Sequence, residues 1–283
     1  MNRSDFENAC RASAKHSYMG QETMLLTPLG AVRGGGLRMV ADSGDRGIVP
    51  HLMLDGFWES WVSVWLLNEL QRRGPGVKLL NVGANCGYYS MLAAATGASV
   101  IAVEPHGVHC KNLRSSALLS GLHERLKVVH GVCSDEAGEA QVSFVRGHSM
   151  DTFVDRSPAT AAMMDSAPTS PATLNEPRAT VTVPQLTADA IMPDADILLM
   201  DAEGHEPFVW SGAAVLRSNP AFCAAIEWSP LRYDDPSAFY SSITGEGFVF
   251  ATIDSEGREM AVSREAMMAK ETMVTIRRSA PRR

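Results

Sequence analysis

Cysteine is scarce in this 283-residue sequence, and what there is follows no pattern. The five residues, Cys10, Cys86, Cys110, Cys133 and Cys223, are scattered, odd in number and without CxxC spacing. A disulfide framework is excluded and no zinc site is indicated, so reduced thiols are the expectation. Long apolar runs are missing too. No segment approaches the ~20 apolar residues of a membrane span, and MNRSDFENACRASAKHSY at the start holds no apolar run that would serve as a secretory signal. Positive charge is in deficit: a formal net charge of −7 argues against a surface built mainly for nucleic-acid phosphates. The basic cluster Arg277, Arg278, Arg282 and Arg283 reads as a solvated tail. The expectation is a soluble, cytoplasmic protein with neither nucleic acid nor membrane as partner.

What is present is ordinary globular composition, 45% apolar and 20% charged, in a chain long enough for one large α/β domain or two small ones. Its organising stretch is Lys78 to Glu104, KLLNVGANCGYYSMLAAATGASVIAVE. An apolar, β-prone run ends on Asn81-Val82 and is broken by Gly83-Ala84-Asn85-Cys86-Gly87; a short helix from Tyr88 to Thr96 closes on Gly97; a second strand ends on Glu104-Pro105. A βαβ unit with a glycine turn after its first strand and an acid ending its second is a nucleoside-binding arrangement. Backbone N–H groups and a helix N-terminus face the ligand, and the acid accepts the ribose hydroxyls. The three-glycine dinucleotide fingerprint is absent, because Gly83-x-Asn85-x-Gly87 stands in its place, and this tilts the ligand towards a mononucleoside.

Before this unit, residues 1–56 read as an N-terminal appendage or cap, with short strands at Thr23–Thr27 and Leu37–Val40. Gly56 to Leu70 reads as a helix with an aromatic face, and Trp58 and Glu59 at its start are candidates for the border of a substrate pocket. After Glu104, a helix from His106 to Leu119 and a third strand, Leu126–His130, lead to Val132-Cys133-Ser134 at a strand's C-terminal end, where a base would sit. From Arg146 to Pro177 periodicity fades into Ser, Thr, Pro, Ala and Met, which predicts a flexible insertion or a lid. Ile197 to Met200 then delivers Asp201-Ala202-Glu203-Gly204-His205-Glu206. Acids and a histidine this close at a ligand edge bind a cation, handle a proton or face water. A further strand, Phe222 to Glu227, ends on an acid that would lie beside Asp201, and Gly247–Ile253 with Thr272–Ile276 would close the sheet as an antiparallel pair.

Asn81-Val82-Gly83-Ala84-Asn85-Cys86-Gly87-Tyr88-Tyr89-Ser90, Ala102-Val103-Glu104-Pro105, the Asp201–Glu206 block and the strand ending in Glu227, taken in this order, resemble the FkbM-type S-adenosylmethionine-dependent methyltransferases. The likeness runs from about Phe57 to about Pro230. It implies a Rossmann-like class I methyltransferase fold over 57–283, with a mainly parallel seven-stranded sheet and an antiparallel last strand. It also implies that Gly83, Asn85 and Gly87 pass close to the methionine part of the cofactor and that Glu104 holds the ribose. The family usually has Asp where Asn81 stands; Asn81 can accept a hydrogen bond from the cofactor's amino group but supplies no charge, and weaker affinity follows.

The chemistry the resemblance implies is O-methylation of a hydroxyl on a small molecule or sugar, which requires removal of a proton. His205 is the first candidate base, since an unperturbed pKa near ~6.5 suits the task; the bland alternative is that it only bonds Glu203 or Glu206. Asp201 and Glu227 are similar in position to the metal-binding carboxylates of catechol O-methyltransferases, which adds Mg²⁺ as a possible second cofactor. An N-methyltransferase, a nicotinamide-dependent oxidoreductase and a cofactor-binding protein without catalysis remain as alternatives.

Overall fold

The computed structural model describes residues 1–20, 22–26, 37–145, 147–156 and 178–279. Helix α1 (Arg3–Ser13) leads into β1 (His16–Tyr18), β2 (Thr23–Leu26) and β3 (Met39–Asp42), three antiparallel strands in the order β1-β2-β3. Helices α2 (Val49–Leu54) and α3 (Ser60–Arg73) follow, then β4 (Lys78–Val82), α4 (Tyr88–Ala95), β5 (Ser99–Glu104), α5 (Gly107–Leu119) and β6 (Leu126–His130). Strands β7 (Val132–Ser134), β8 (Gly138–Val145), β9 (His148–Val154) and β10 (Arg178–Thr187) form a separate sheet in the order β7-β10-β8-β9. The chain then runs through α6 (Ala188–Ile191), β11 (Ile197–Met200), α7 (Glu206–Ser211), β12 (Cys223–Trp228), α8 (Pro236–Gly245), β13 (Phe248–Ile253), β14 (Glu259–Ala261), α9 (Arg264–Ala269) and β15 (Thr272–Arg278).

The main sheet has the order β14-β13-β15-β12-β11-β4-β5-β6. Strands β6, β5, β4, β11 and β12 pair in parallel, and β15 inserts antiparallel between β12 and β13. This is the order and polarity of the Rossmann-like class I methyltransferase fold, with β14 as an eighth strand on the edge of the seven expected. Alternation along the central strands supplies both faces of the core. Leu79, Ile197, Leu199, Cys223 and Ala225 pack into one buried cluster, while Leu80, Val82, Leu198, Met200, Ala224 and Ile226 pack into the other.

The segment 1–56 shares the first of these clusters through Met24, Leu26, Met39 and Ala41, packed with Leu92 and Leu113 of α4 and α5. Strand β3 is also tied to α5, where the Val40 N–H donates to Ser116 Oγ at 2.8 Å.

Three local expectations change. The stretch after Arg146 opens as strand β9, antiparallel to β8, rather than as a structureless loop; residues 157–177 lie outside the described ones. The hydroxyl- and β-branched-rich run 178–187 and its partner β8 lack the apolar run of a core strand, and pairing with each other supplies their backbone hydrogen bonds. Arg277 is not a solvated tail residue: its guanidinium bonds Glu69 (2.9 Å) and Glu259 (2.6 Å), and Arg278 lies over the Phe248 ring. Arg282 and Arg283 fall outside the described residues. Helix α3 begins only at Ser60, so Trp58 and Glu59 precede it.

Candidate active site

A cleft opens at the C-terminal ends of the parallel strands, where β4 and its neighbours β5 and β11 diverge into loops. Gly83, Asn85, Glu104, Cys133, Asp201, Glu203, His205, Glu227, Trp58 and Glu59 all line it. Asn81 and Gly87 do not. The three described non-glycine residues with positive φ, Glu59 (36°), Asn85 (52°) and Glu203 (53°), all face this one cleft. Backbone in that region is costly for a glutamate, and its concentration here marks the cleft as the functional part of the molecule.

The glycine turn is shaped by its neighbours as much as by any ligand. A Cβ on Gly83 (φ +73°) would lie 1.7 Å from the Asp201 carbonyl oxygen, so the turns leaving β4 and β11 can approach this closely only at a glycine. Gly87 (φ +87°) caps α4, and a Cβ there would collide with Leu113 of α5. Asn81 is buried at the end of β4, its amide donating to Ser90 Oγ at 2.8 Å, and it does not line the cleft. Asn85 bends left-handed and thereby presents its N–H to Glu104 Oε2 at 2.7 Å.

Glu104 is nearly inaccessible, yet well partnered. Its other oxygen, Oε1, accepts the His106 N–H at 2.8 Å, and the His109 ring stands 3.7 Å away. Burial works against its charge, but His109 and the two backbone N–H groups outweigh burial and hold the carboxyl below the ordinary glutamate value. Each oxygen keeps lone-pair capacity for a further donor, such as a diol.

The opposite wall is short of cations. Asp201 ends β11 and Glu227 lies next to it on β12; Glu203 and Glu206 follow in the loop. Arg232 is shared by Glu203, by Glu227 at 3.3 Å and by Glu271 at 3.5 Å. Glu206 turns back on its own loop, accepting N–H groups from Ala202 (2.6 Å) and Gly204 (3.1 Å). Burial first, and mutual repulsion after it, raises the pKa of Asp201, Glu203 and Glu227, and burial moves Glu206 to about 7. Asp201 Oδ1 is buried with no hydrogen-bond partner. One oxygen from each of Asp201, Glu206 and Glu227 lies within 4.8 Å of the others. Such a wall can ionise fully only when something positive arrives.

His205 bonds neither Glu203 nor Glu206. Its Nε2 is 3.0 Å from Ser134 Oγ, its ring stacks on Phe208 at 4.7 Å, and burial, with Arg156 nearby, lowers its pKa to about 4. Arg156 arrives just after β9, bonding Ser134 Oγ (2.9 Å) and Asp135, while Thr152 and Val154 of the same strand line the cleft. Cys133 is an apolar wall, because burial pushes its thiol up to about 12. Glu59 accepts the Tyr89 hydroxyl at 2.7 Å, and burial raises its pKa.

Sequence reasoning missed His109, Arg232 and the β9 side chains. His109 had a signal, since it falls within the first turn of a helix that starts right after the acid ending β5. Arg232 had a weaker one, a lone cation five residues beyond an acid-ended strand.

No protein-family model matches the chain. Over 68 residues it is 37% identical to a protein-L-isoaspartate O-methyltransferase from Methylorubrum populi, a match covering 24% of this chain and about a third (32%) of that protein. Among solved structures, a SAM-dependent methyltransferase from Agrobacterium tumefaciens aligns over 92% of this chain and 70% of its own, at 16% identity and a TM-score of 0.43. A methyltransferase FkbM from Methylobacillus flagellatus KT aligns over 71% of this chain and 43% of its own, at 14% identity and a TM-score of 0.43. An O-methyltransferase from Bacillus cereus in complex with SAH aligns over 76% and 78%, at 14% identity and a TM-score of 0.40. The five cysteines are all free and buried, and no described helix is long and apolar enough to cross a membrane.

Proposed function

We propose that this chain is an FkbM-type S-adenosylmethionine-dependent methyltransferase whose acceptor is a hydroxyl on a small molecule or sugar. The observation that carries the reading is the two-sided cleft at the strand ends. An ionised, doubly N–H-bonded Glu104 offers itself to a ribose diol, and the under-compensated acids Asp201, Glu203 and Glu227 suit a ligand that brings a sulfonium and an ammonium. The short match to a protein-L-isoaspartate O-methyltransferase supports methyl transfer to oxygen.

In this reading Trp58 and Glu59 border the acceptor. S-adenosylmethionine held here would supply an electrophilic methyl group to the acceptor hydroxyl, and His205 or one of the cleft carboxylates would take that hydroxyl's proton. His205 is neutral at pH 7 and weakly basic, so positioning carries much of the rate. The oxygens of Asp201, Glu206 and Glu227 have the chemistry to hold Mg²⁺, which would lower a hydroxyl's pKa; Arg232 competes with it for Glu227.

Calorimetric titration with S-adenosylmethionine, S-adenosylhomocysteine and NAD, with and without Mg²⁺, tests the reading. Saturable binding of the first two is the expected outcome. Binding of NAD alone would make the chain an oxidoreductase, and no binding of any would make the site degenerate. A gain of affinity with Mg²⁺ would assign the metal to Asp201 and Glu227.

A further inference from the structure

One buried histidine beside the cleft is unexplained by packing. His109, on the first turn of α5, is only 7% exposed, and its Nδ1 has no hydrogen-bond partner. That atom stands 3.7 Å from Glu104 Oε1, an ion-pair distance too long for a hydrogen bond. The groups around it are chosen to keep it charged. Glu104 faces it from β5, and Asp42 and Asp45 add negative potential from β3 and the turn after it. His106, stacked on His109 with ring centroids 4.4 Å apart, is pushed down to about 4 by burial and by His109 itself, and so stays neutral. Burial alone would discharge His109, but Glu104, then Asp45 and Asp42, raise its pKa above the ordinary histidine value.

We propose that His109 is a positioning residue for the cofactor: it holds Glu104 as an anion, oriented by the Asn85 and His106 N–H groups, so that both carboxylate oxygens meet the ribose hydroxyls. This rests on the reading of the cleft as an S-adenosylmethionine site. A neutral side chain in its place leaves Glu104 buried with no facing cation. Burial then dominates, the carboxyl protonates on mild acidification, and one of the two acceptor oxygens becomes a donor.

The test is the pH profile of S-adenosylhomocysteine affinity, measured by calorimetry from pH 5 to 8 on wild type, His109→Gln and Glu104→Gln, each checked for an intact thermal transition. Relative to wild type, His109→Gln should lose about threefold or more additional affinity between pH 7 and pH 5, because the carboxyl without its facing imidazolium takes up a proton inside that window. Glu206 titrates in both proteins, so the difference isolates the pair. Glu104→Gln should bind weakly with no such extra acid limb. Parallel profiles for wild type and His109→Gln overturn the proposal while leaving the cofactor reading intact. Failure of wild type to bind at all overturns the reading and the proposal together. Should His109→Gln not fold, the imidazole resonances of wild type decide: His109 must titrate above 6.5, and titration below that value contradicts the proposal.

Discussion

The two walls of the cleft bury carboxylates, Glu104 more deeply than Asp201, Glu203 or Glu227, and treat them in opposite ways. Glu104, with two backbone N–H donors and the His109 ring, is held below the ordinary glutamate range; Asp201, Glu203 and Glu227, with Arg232 reaching only the two glutamates, are driven above it. Burial is the first cause on both sides, so partners and not depth decide the sign. One wall has its charge compensated by the protein itself. The other is incomplete, and a positive ligand would complete it.

The largest effect should come where the walls touch. Gly83→Ala would thrust a methyl group into the Asp201 carbonyl at a φ that alanine avoids, and a loss of more than about 3 kcal/mol in urea unfolding is expected. Arg232→Met sharpens the contrast next. Removing the cation from the acid wall should cost about 3 kcal/mol in urea unfolding at pH 7.5. Glu104→Gln should weaken S-adenosylhomocysteine binding by about 2 kcal/mol, read by calorimetry, since a charged acceptor becomes a neutral one. An equal loss from Glu206→Gln would break the division of labour between the walls.

Acid titration of stability follows the same split. Glu206, raised to about 7, binds its proton in the folded state before the unfolded one does, so its contribution falls as pH rises from about 4.5 to 7. Glu69, held far below its ordinary value by Arg72, Arg277 and Arg73 against burial, does the reverse: its stabilisation is present above pH 4.5 and is lost on further acidification. The protein should therefore be most stable near pH 5, and Glu206→Gln should flatten the neutral limb by about 1 kcal/mol per pH unit. The smallest effect expected is Tyr89→Phe, about 1 kcal/mol of stability from the lost bond to Glu59.

The sheet was legible because its strands are short apolar runs stopped by glycine or by an acid, as at Val82-Gly83, Glu104 and Asp201. The insertion was not, because β8, β9 and β10 satisfy one another's backbone instead of filling the main core, and their sequence carries polar alternation that resembles loop. Within the site, residues at strand ends could be named from spacing alone, whereas Asn81 could not be placed. Its position in the motif suggests contact with the ligand; only the fold reveals that Ser90, in the first turn of α4, already takes its amide. His109 and Arg232 escaped because their roles depend on what faces them across the cleft.

A crystal structure with S-adenosylhomocysteine bound is the most direct test of the two-walled site. Both ribose hydroxyls should lie at about 2.7–3.0 Å from the Glu104 oxygens, with the amino-acid end of the ligand towards Asp201. A ligand seated elsewhere, or Glu104 still bonded only to protein, would contradict it.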